Sequence, residues 1–178
     1  MTGSTSSAPF PMTSRVEAGK ELILERVFRA PRELVFDAFS KAEHLSKWWA
    51  PRGWEISHCT VDFHPGGRWH YCMKCVDGSQ GDFYGMESWG LGVYQEIDAP
   101  ARIVYTDYFS DAEANINEAL PPTRSTLTFE TVEGGTKVVN RALYNSEEAL
   151  KTVMDMGMLQ GITETWDHLA RYLESMHT

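Results

Sequence analysis

The sequence predicts an α+β fold, a curved antiparallel sheet of about six to seven strands wrapped around one long C-terminal helix, with two short helices after the first strand. Three observations carry this expectation. Runs rich in Val, Ile, Phe, Tyr and Trp recur between Glu21 and Tyr144, separated by turns bearing Gly and Pro. Two short stretches of helical periodicity stand directly after the first of these runs. The final stretch, Ser146 to Met176, contains no proline and spaces its apolar residues as a helix does.

Residues 1–18, rich in Ser, Thr and Pro, read as a flexible N-terminal tail, and residues 19–178 as a single domain. Glu21 to Arg29 reads as a strand, closed by Ala30-Pro31. Leu34, Val35, Ala38 and Phe39 mark a short helix from Pro31, and Leu45 with Trp48 marks a second. Trp54 to Phe63 and Arg68 to Val76 are strands joined by the turn His64-Pro65-Gly66-Gly67. Tyr84 to Ile97 holds one or two strands. The glycines Gly85, Gly90 and Gly92 inside it suggest bulges or bends that curve the sheet. Arg102 to Phe109 follows, then a loop from Ser110 to Thr123 long enough to act as a lid. Arg124 to Thr131 and Thr136 to Tyr144 form a hairpin around Glu133-Gly134-Gly135. Ser146, with Glu147 and Glu148 behind it, is a good helix start. Met154, Met158, Ile162, Trp166, Leu169 and Leu173 then form one apolar stripe on a helix about 45 Å long. Only this helix is long enough to cover a concave sheet face. A sheet that curves more than the helix can fill leaves a gap, which is the expected binding site.

Composition narrows the function classes. The net charge of −9 disfavours phosphate backbones and anionic lipid surfaces, so neither nucleic acid nor membrane is an expected partner. No apolar stretch approaches the roughly 20 residues that span a bilayer, and no basic start precedes an apolar run. The expected compartment is cytoplasmic, with the 3 cysteines as free thiols.

Several motifs in this order carry a resemblance. They are Arg26 followed by Ala30-Pro31-Arg32-Glu33-Leu34-Val35-Phe36, Glu43-His44-Leu45-Ser46-Lys47-Trp48-Trp49, Asp62-Phe63-His64-Pro65-Gly66-Gly67-Arg68-Trp69, and Gly157-Met158-Leu159-Gln160-Gly161 with Trp166-Asp167-His168-Leu169-Ala170. The sequence resembles the SRPBCC superfamily, the START and birch-pollen-allergen-like helix-grip fold. Within it the chain is similar to the bacterial branch related to the C-terminal part of the activator of the heat-shock-protein-90 ATPase. The resemblance runs from Glu21 to Met176 and implies a helix-grip domain. It leaves function open, because this fold hosts lipid carriers, cyclases, resistance proteins and chaperone partners. His64 stands where the family commonly has Arg, and Ile162 where it commonly has an aromatic.

Strand parity nominates the cavity wall. Trp69, Tyr71, Met73 and Cys75 share one face of their strand, Glu87, Trp89 and Leu91 one face of the next, and Ile103, Tyr105, Asp107 and Phe109 one of another. The expected ligand-binding residues are Trp49, Trp69, Tyr71, Met73, Glu87, Trp89, Tyr105, Asp107, Met154, Met158, Ile162 and Trp166. Glu87, Tyr105 and Asp107 are polar groups on apolar faces, and leaving such a group unpaired costs roughly 1–3 kcal/mol. Either they hold the polar end of a ligand, or they bond Arg26, backbone or trapped water.

Other chemistry is weakly signalled. Cys72 and Cys75 form a CxxC on a predicted strand, where the two point to opposite sides. His58, His64 and His70 gather in one hairpin without metal-ligand spacing, so no metal is expected. No nucleophile elbow, phosphate loop or dinucleotide fingerprint is present, and no cofactor or catalytic residue is nominated. The leading expectation is therefore a small-molecule-binding protein for a hydrophobic or aromatic ligand, whose cavity exceeds about 300 Å³. A chaperone- or stress-linked interaction module is the alternative, which requires an exposed apolar patch. An enzyme of hydrolase, cyclase or isomerase type, with Glu87 and Asp107 as acid and base, is the third reading; it predicts Glu87 or Asp107 facing a closed pocket with a raised pKa. A homodimer is compatible with each.

Overall fold

A computed structural model describes residues 11–176. The expected flexible tail lies in part outside the described residues, as do 177 and 178. The tail reading fails at its end, because Thr13–Glu17 forms strand β1 and pairs antiparallel with β2, Glu21–Phe28. The two are joined by a tight turn with positive φ at Ala18 and Gly19. All five residues of β1 are exposed, so it has no apolar alternation by which to be recognised.

After β2 come α1, Arg32–Ser40, and α2, Ala42–Trp48. The remaining strands are β3 (Trp54–Val61), β4 (Arg68–Cys75), β5 (Glu87–Asp98), β6 (Arg102–Ser110), β7 (Thr123–Val132) and β8 (Gly135–Leu143). All eight strands form one antiparallel sheet in the order β1-β2-β8-β7-β6-β5-β4-β3. The extra strand over the expected number is β1.

The C-terminal helix is broken. Helix α3, Glu147–Asp155, is capped by Ser146, whose hydroxyl accepts from Ala149 N at 3.0 Å. Gly157, at φ +87°, then ends the first segment, and α4 runs from Met158–Met176. A residue at C′ with positive φ is the ordinary way a helix stops, and glycine adopts it without a Cβ clash. The continuous apolar periodicity across this point hid the break.

The core lies between the concave sheet face and the helices. Trp166, Leu169 and Leu173 of α4 are buried, and Trp166 packs on Phe28 and Phe39 with ring centroids at 5.7 and 6.2 Å. Arg26, itself buried on β2, donates to Asp167 at 2.7 Å and fastens α4 to the sheet. His168 donates from Nδ1 to Ala50 O at 2.6 Å, holding α4 to the chain after α2.

The glycines of β5 make room for neighbouring rings. Gly90 pairs with Tyr71 and Gly92 with Asp107. A Cβ on Gly90 would overlap the Tyr71 ring, and one on Gly92 would press on Trp69 and Tyr105 at 3.3 and 3.4 Å. The bare backbone of β5 is thus the surface on which these rings lie. Tyr71 is boxed in by Trp49 and Trp69, at 6.0 and 4.8 Å between centroids, so it has no room to yield. Gly90→Ala is expected to lower stability by about 1–3 kcal/mol in urea unfolding, the usual range for overpacking. Unchanged stability would contradict this packing.

Candidate functional site

The apolar gap lies between the concave sheet face and the first half of α4. It is a cavity of about 300 Å³. Its floor is formed by Leu22 and Leu24 of β2, Tyr71 and Met73 of β4, Ser88 and Gly90 of β5, Tyr105 and Asp107 of β6, Ser125 of β7, and Asn140 and Ala142 of β8. Its roof is Val153, Met156, Met158, Gly161, Ile162 and Thr165. Trp49 and Pro51 close one side, and Tyr144 another. Met156, more than half exposed at the helix break, stands at the rim. The two halves of α4 therefore differ: residues 158–165 bridge the gap, and residues 166–173 fill the core.

Eight of the expected residues line this cavity: Trp49, Tyr71, Met73, Trp89, Tyr105, Asp107, Met158 and Ile162. Four do not. Trp69 is buried beneath the wall, stacked among Trp49, Tyr71 and Tyr105 at 4.8, 4.8 and 5.8 Å. Trp166 belongs to the core near α1. Met154 packs at the core margin, and the turn of α3 offers Val153 and Met156 to the cavity in its place. Glu87 is exposed.

The error at Glu87 is one of parity. Met73 pairs with Ser88 and Tyr71 with Gly90, which sets Ser88, Gly90 and Gly92 on the concave face. The larger set, Glu87, Trp89 and Leu91, takes the convex face. The inner positions are small because rings from β4 and β6 already occupy the space above them. Trp89 still borders the cavity, while its ring stacks on His70 at 5.0 Å and 27°.

The loop of residues 111–122 is not a lid. Arg68 and His70, on the convex side of β4, bond Ala114 O at 3.1 Å and Asp111 O at 2.8 Å. The loop thus lies across the outer face. His58 and His70 do approach, at 5.2 Å between centroids. Among the described residues, however, no three His, Cys, Asp or Glu gather as a metal site. Cys59, Cys72 and Cys75 are free.

The polar centre of the cavity is Asp107. Its only hydrogen-bond donor among the described side chains is Tyr71, whose hydroxyl reaches Oδ1 at 3.2 Å and Oδ2 at 3.1 Å. Arg26, the alternative partner considered from the sequence, is engaged with Asp167 instead. Burial without a cation raises the Asp107 carboxyl to about 7, with the Tyr71 hydrogen bond opposing the shift. Burial and the neighbouring Asp107 also raise Tyr71, Tyr94 and Tyr105, so these phenols stay neutral donors. Strand parity of β7 and β8 would have found Ser125, Asn140 and Ala142. Their sequence gave no reason to assign a cavity face, since Thr and Val alternate with little contrast there.

A curved sheet gripping a helix over such a cavity defines a helix-grip protein, of the class of ligand-binding or interaction modules. The chain belongs to the Activator of Hsp90 ATPase homolog 1-like protein family, whose model matches residues 29–174. It is similar over 92% of its length to protein Ms6760 from Mycobacterium smegmatis, with 27% identity, 97% of that chain covered and a TM-score of 0.80. A Staphylococcus epidermidis protein is 30% identical over 93% of this chain and 95% of its own, with a TM-score of 0.74. A protein from Arthrobacter aurescens, 23% identical over 92% of this chain and 91% of its own, shares the fold with a TM-score of 0.82. No curated protein matches the chain. Among the described residues no helix is long and apolar enough to cross a membrane.

The raised carboxyl makes stability depend on pH. An unfolded aspartate titrates near 4. Between about pH 4 and about pH 7 the unfolded chain has lost a proton that folded Asp107 keeps, so this residue's contribution falls as pH rises through that window. Asp107→Asn cannot ionise. Its stability relative to the parent is expected to improve by on the order of a few kcal/mol between about pH 4.5 and about pH 8. Urea unfolding at the two pH values checks this; a pH-independent difference would contradict it.

Proposed function

We propose that this protein binds a small apolar or aromatic molecule in the cavity between the sheet and α4. The observation that carries the reading is the cavity itself, about 300 Å³ and walled mainly by aliphatic and aromatic side chains around a few polar groups. That size and lining are those of sites that take small organic ligands. Met73, Met156 and Met158 supply adaptable wall. The cavity also lacks the pairing that catalysis by two carboxylates needs: Glu87 is on the outer face, leaving Asp107 as the single carboxyl in the lining. The raised Asp107 carboxyl is what the enzyme reading expected of one of its two residues, but the second carboxyl of an acid–base pair is absent from the lining, and binding, carriage or sensing needs no such pair.

One observation favours interaction with another protein as a second reading. Val76, Phe83, Tyr84 and Met86 are 45, 55, 61 and 48% exposed in the connection between β4 and β5. Backbone bonds from Cys75 to Met86 and from Gly85 to Cys75 bring the two ends of that connection together. Exposed apolar groups of this kind commonly mark contact surfaces.

Gly161 gives a direct test. It lines the cavity, and a Cβ there meets nothing within 4 Å. Gly161→Leu is expected to fold with stability equal to or above the parent, because glycine inside a helix costs about 1 kcal/mol. It is also expected to lose a small molecule that native mass spectrometry finds on parent protein gently purified from its source. A parent that carries nothing would shift the function to the exposed patch. A molecule retained equally by Gly161→Leu would place its site elsewhere.

A further inference from the structure

We propose that the molecule the cavity takes is an organic monocation, an ammonium or amidinium group carried on an apolar and preferably aromatic body. This rests on the reading of the cavity as a binding site and names the chemistry of its occupant. The charge of the lining is one-sided. It contains the Asp107 carboxyl and no Lys, Arg or His. The elements around Asp107 bring only phenols towards it as titratable groups: Tyr71 from β4, Tyr94 from β5, Tyr105 from β6 and Tyr144 after β8. Helix α4 contributes Met158, Gly161, Ile162 and Thr165, β7 contributes Thr123 and Ser125, and none of these titrates in the working range. Two cations on elements that border the cavity are committed elsewhere, Arg26 of β2 to Asp167 at 2.7 Å and Arg52, next to Pro51, to Glu164 at 3.3 Å.

What is left unpaired is acceptor capacity. A carboxylate offers about four lone-pair sites, and Asp107 receives one hydroxyl. In the same lining, Asn140 is buried with Oδ1 lacking a hydrogen-bond partner among the described residues. An anionic ligand would meet Asp107 with like charge and no counter-cation. A neutral hydrocarbon would leave the carboxyl with the Tyr71 hydroxyl as its one side-chain partner and the rest of its acceptor capacity unused. A cation pairs with it, and the aromatic rings of Trp49, Tyr71, Tyr105 and Tyr144 in the lining add their attraction for positive charge. The carboxyl is raised by burial alone, so a bound cation also restores its ionised form. Affinity for the cation must then rise with pH as Asp107 ionises, while the chain's net charge of −9 favours its approach.

The test uses three probes with one ring system and different charge: naphthylethylamine, naphthylethanol and naphthylacetate. Each is titrated calorimetrically into the full chain at about pH 8 and about pH 5.5. The amine is expected to bind at least about tenfold more tightly than the alcohol at the higher pH, one pH unit's worth of coupling. The acetate is expected to bind weakest, and the amine's advantage to shrink about tenfold at the lower pH as Asp107 takes up its proton. Asp107→Asn should keep alcohol binding and lose the preference for the amine. Alcohol or acetate binding as tightly as the amine to the parent overturns the cation assignment and leaves the cavity reading standing. Silence from all three probes at millimolar concentration overturns the cavity reading and this inference together.

Discussion

The site depends on a hydrogen bond that crosses a strand. Tyr71 of β4 donates to Asp107 of β6, two strands away, and β5 runs between them. The bond exists because β5 presents Gly90 and Gly92 on its concave face at those registers. With no side chains there, the Tyr71 ring lies on the backbone and its hydroxyl reaches the carboxyl. Any larger residue at Gly90 would stand where that ring is. The same absence of side chains deepens the sheet locally. One constraint therefore creates the space, fills part of it with aromatic wall and places one carboxyl in what remains.

The helix completes the cavity by being held at one end. Trp166, Leu169 and Leu173 are buried, and Arg26–Asp167 and His168–Ala50 fix that half of α4 to the sheet and to the chain after α2. The other half lines the cavity with Gly161 and Thr165, and a Cβ on Gly161 would meet nothing within 4 Å. Gly157 then turns the chain away, so that α3 approaches at its own angle and Met156 is left at the rim. A helix packed along its whole length would have closed the gap. Burying a few more methyl groups would have added stability of roughly 0.8 kcal/mol per CH₂, so the unfilled space is a departure from maximal packing.

Much of the architecture was legible because it rests on periodicity and turn chemistry. The strands from Glu21 onward, both short helices and the Ser146 cap follow from local pattern and lie close to where the structure has them. What escaped was set by tertiary context. β1 buries nothing, so its pairing leaves no apolar trace, and only the turn at Ala18-Gly19 hints at it. The break at Gly157 interrupts the backbone without interrupting the apolar stripe. On β5 the sequence pattern points the larger residues inward, whereas Ser88, Gly90 and Gly92 of the inner face are small and admit rings from the neighbouring strands. Asp107 was found because a carboxyl among Ile103, Tyr105 and Phe109 is conspicuous in any alternation. Asn140 carries no such signal, because it stands between Val139 and Arg141, and an amide beside an arginine reads as a surface position.

The cavity's character turns on the electrostatic state of Asp107, and carbon-detected NMR titration of its side-chain carboxyl measures that state without a ligand or a variant. A midpoint near 7 is the result that a buried carboxyl with no cation beside it requires. A midpoint in the ordinary range near 4 would mean that water or a positive charge reaches the carboxyl freely, and would contradict the cavity described above.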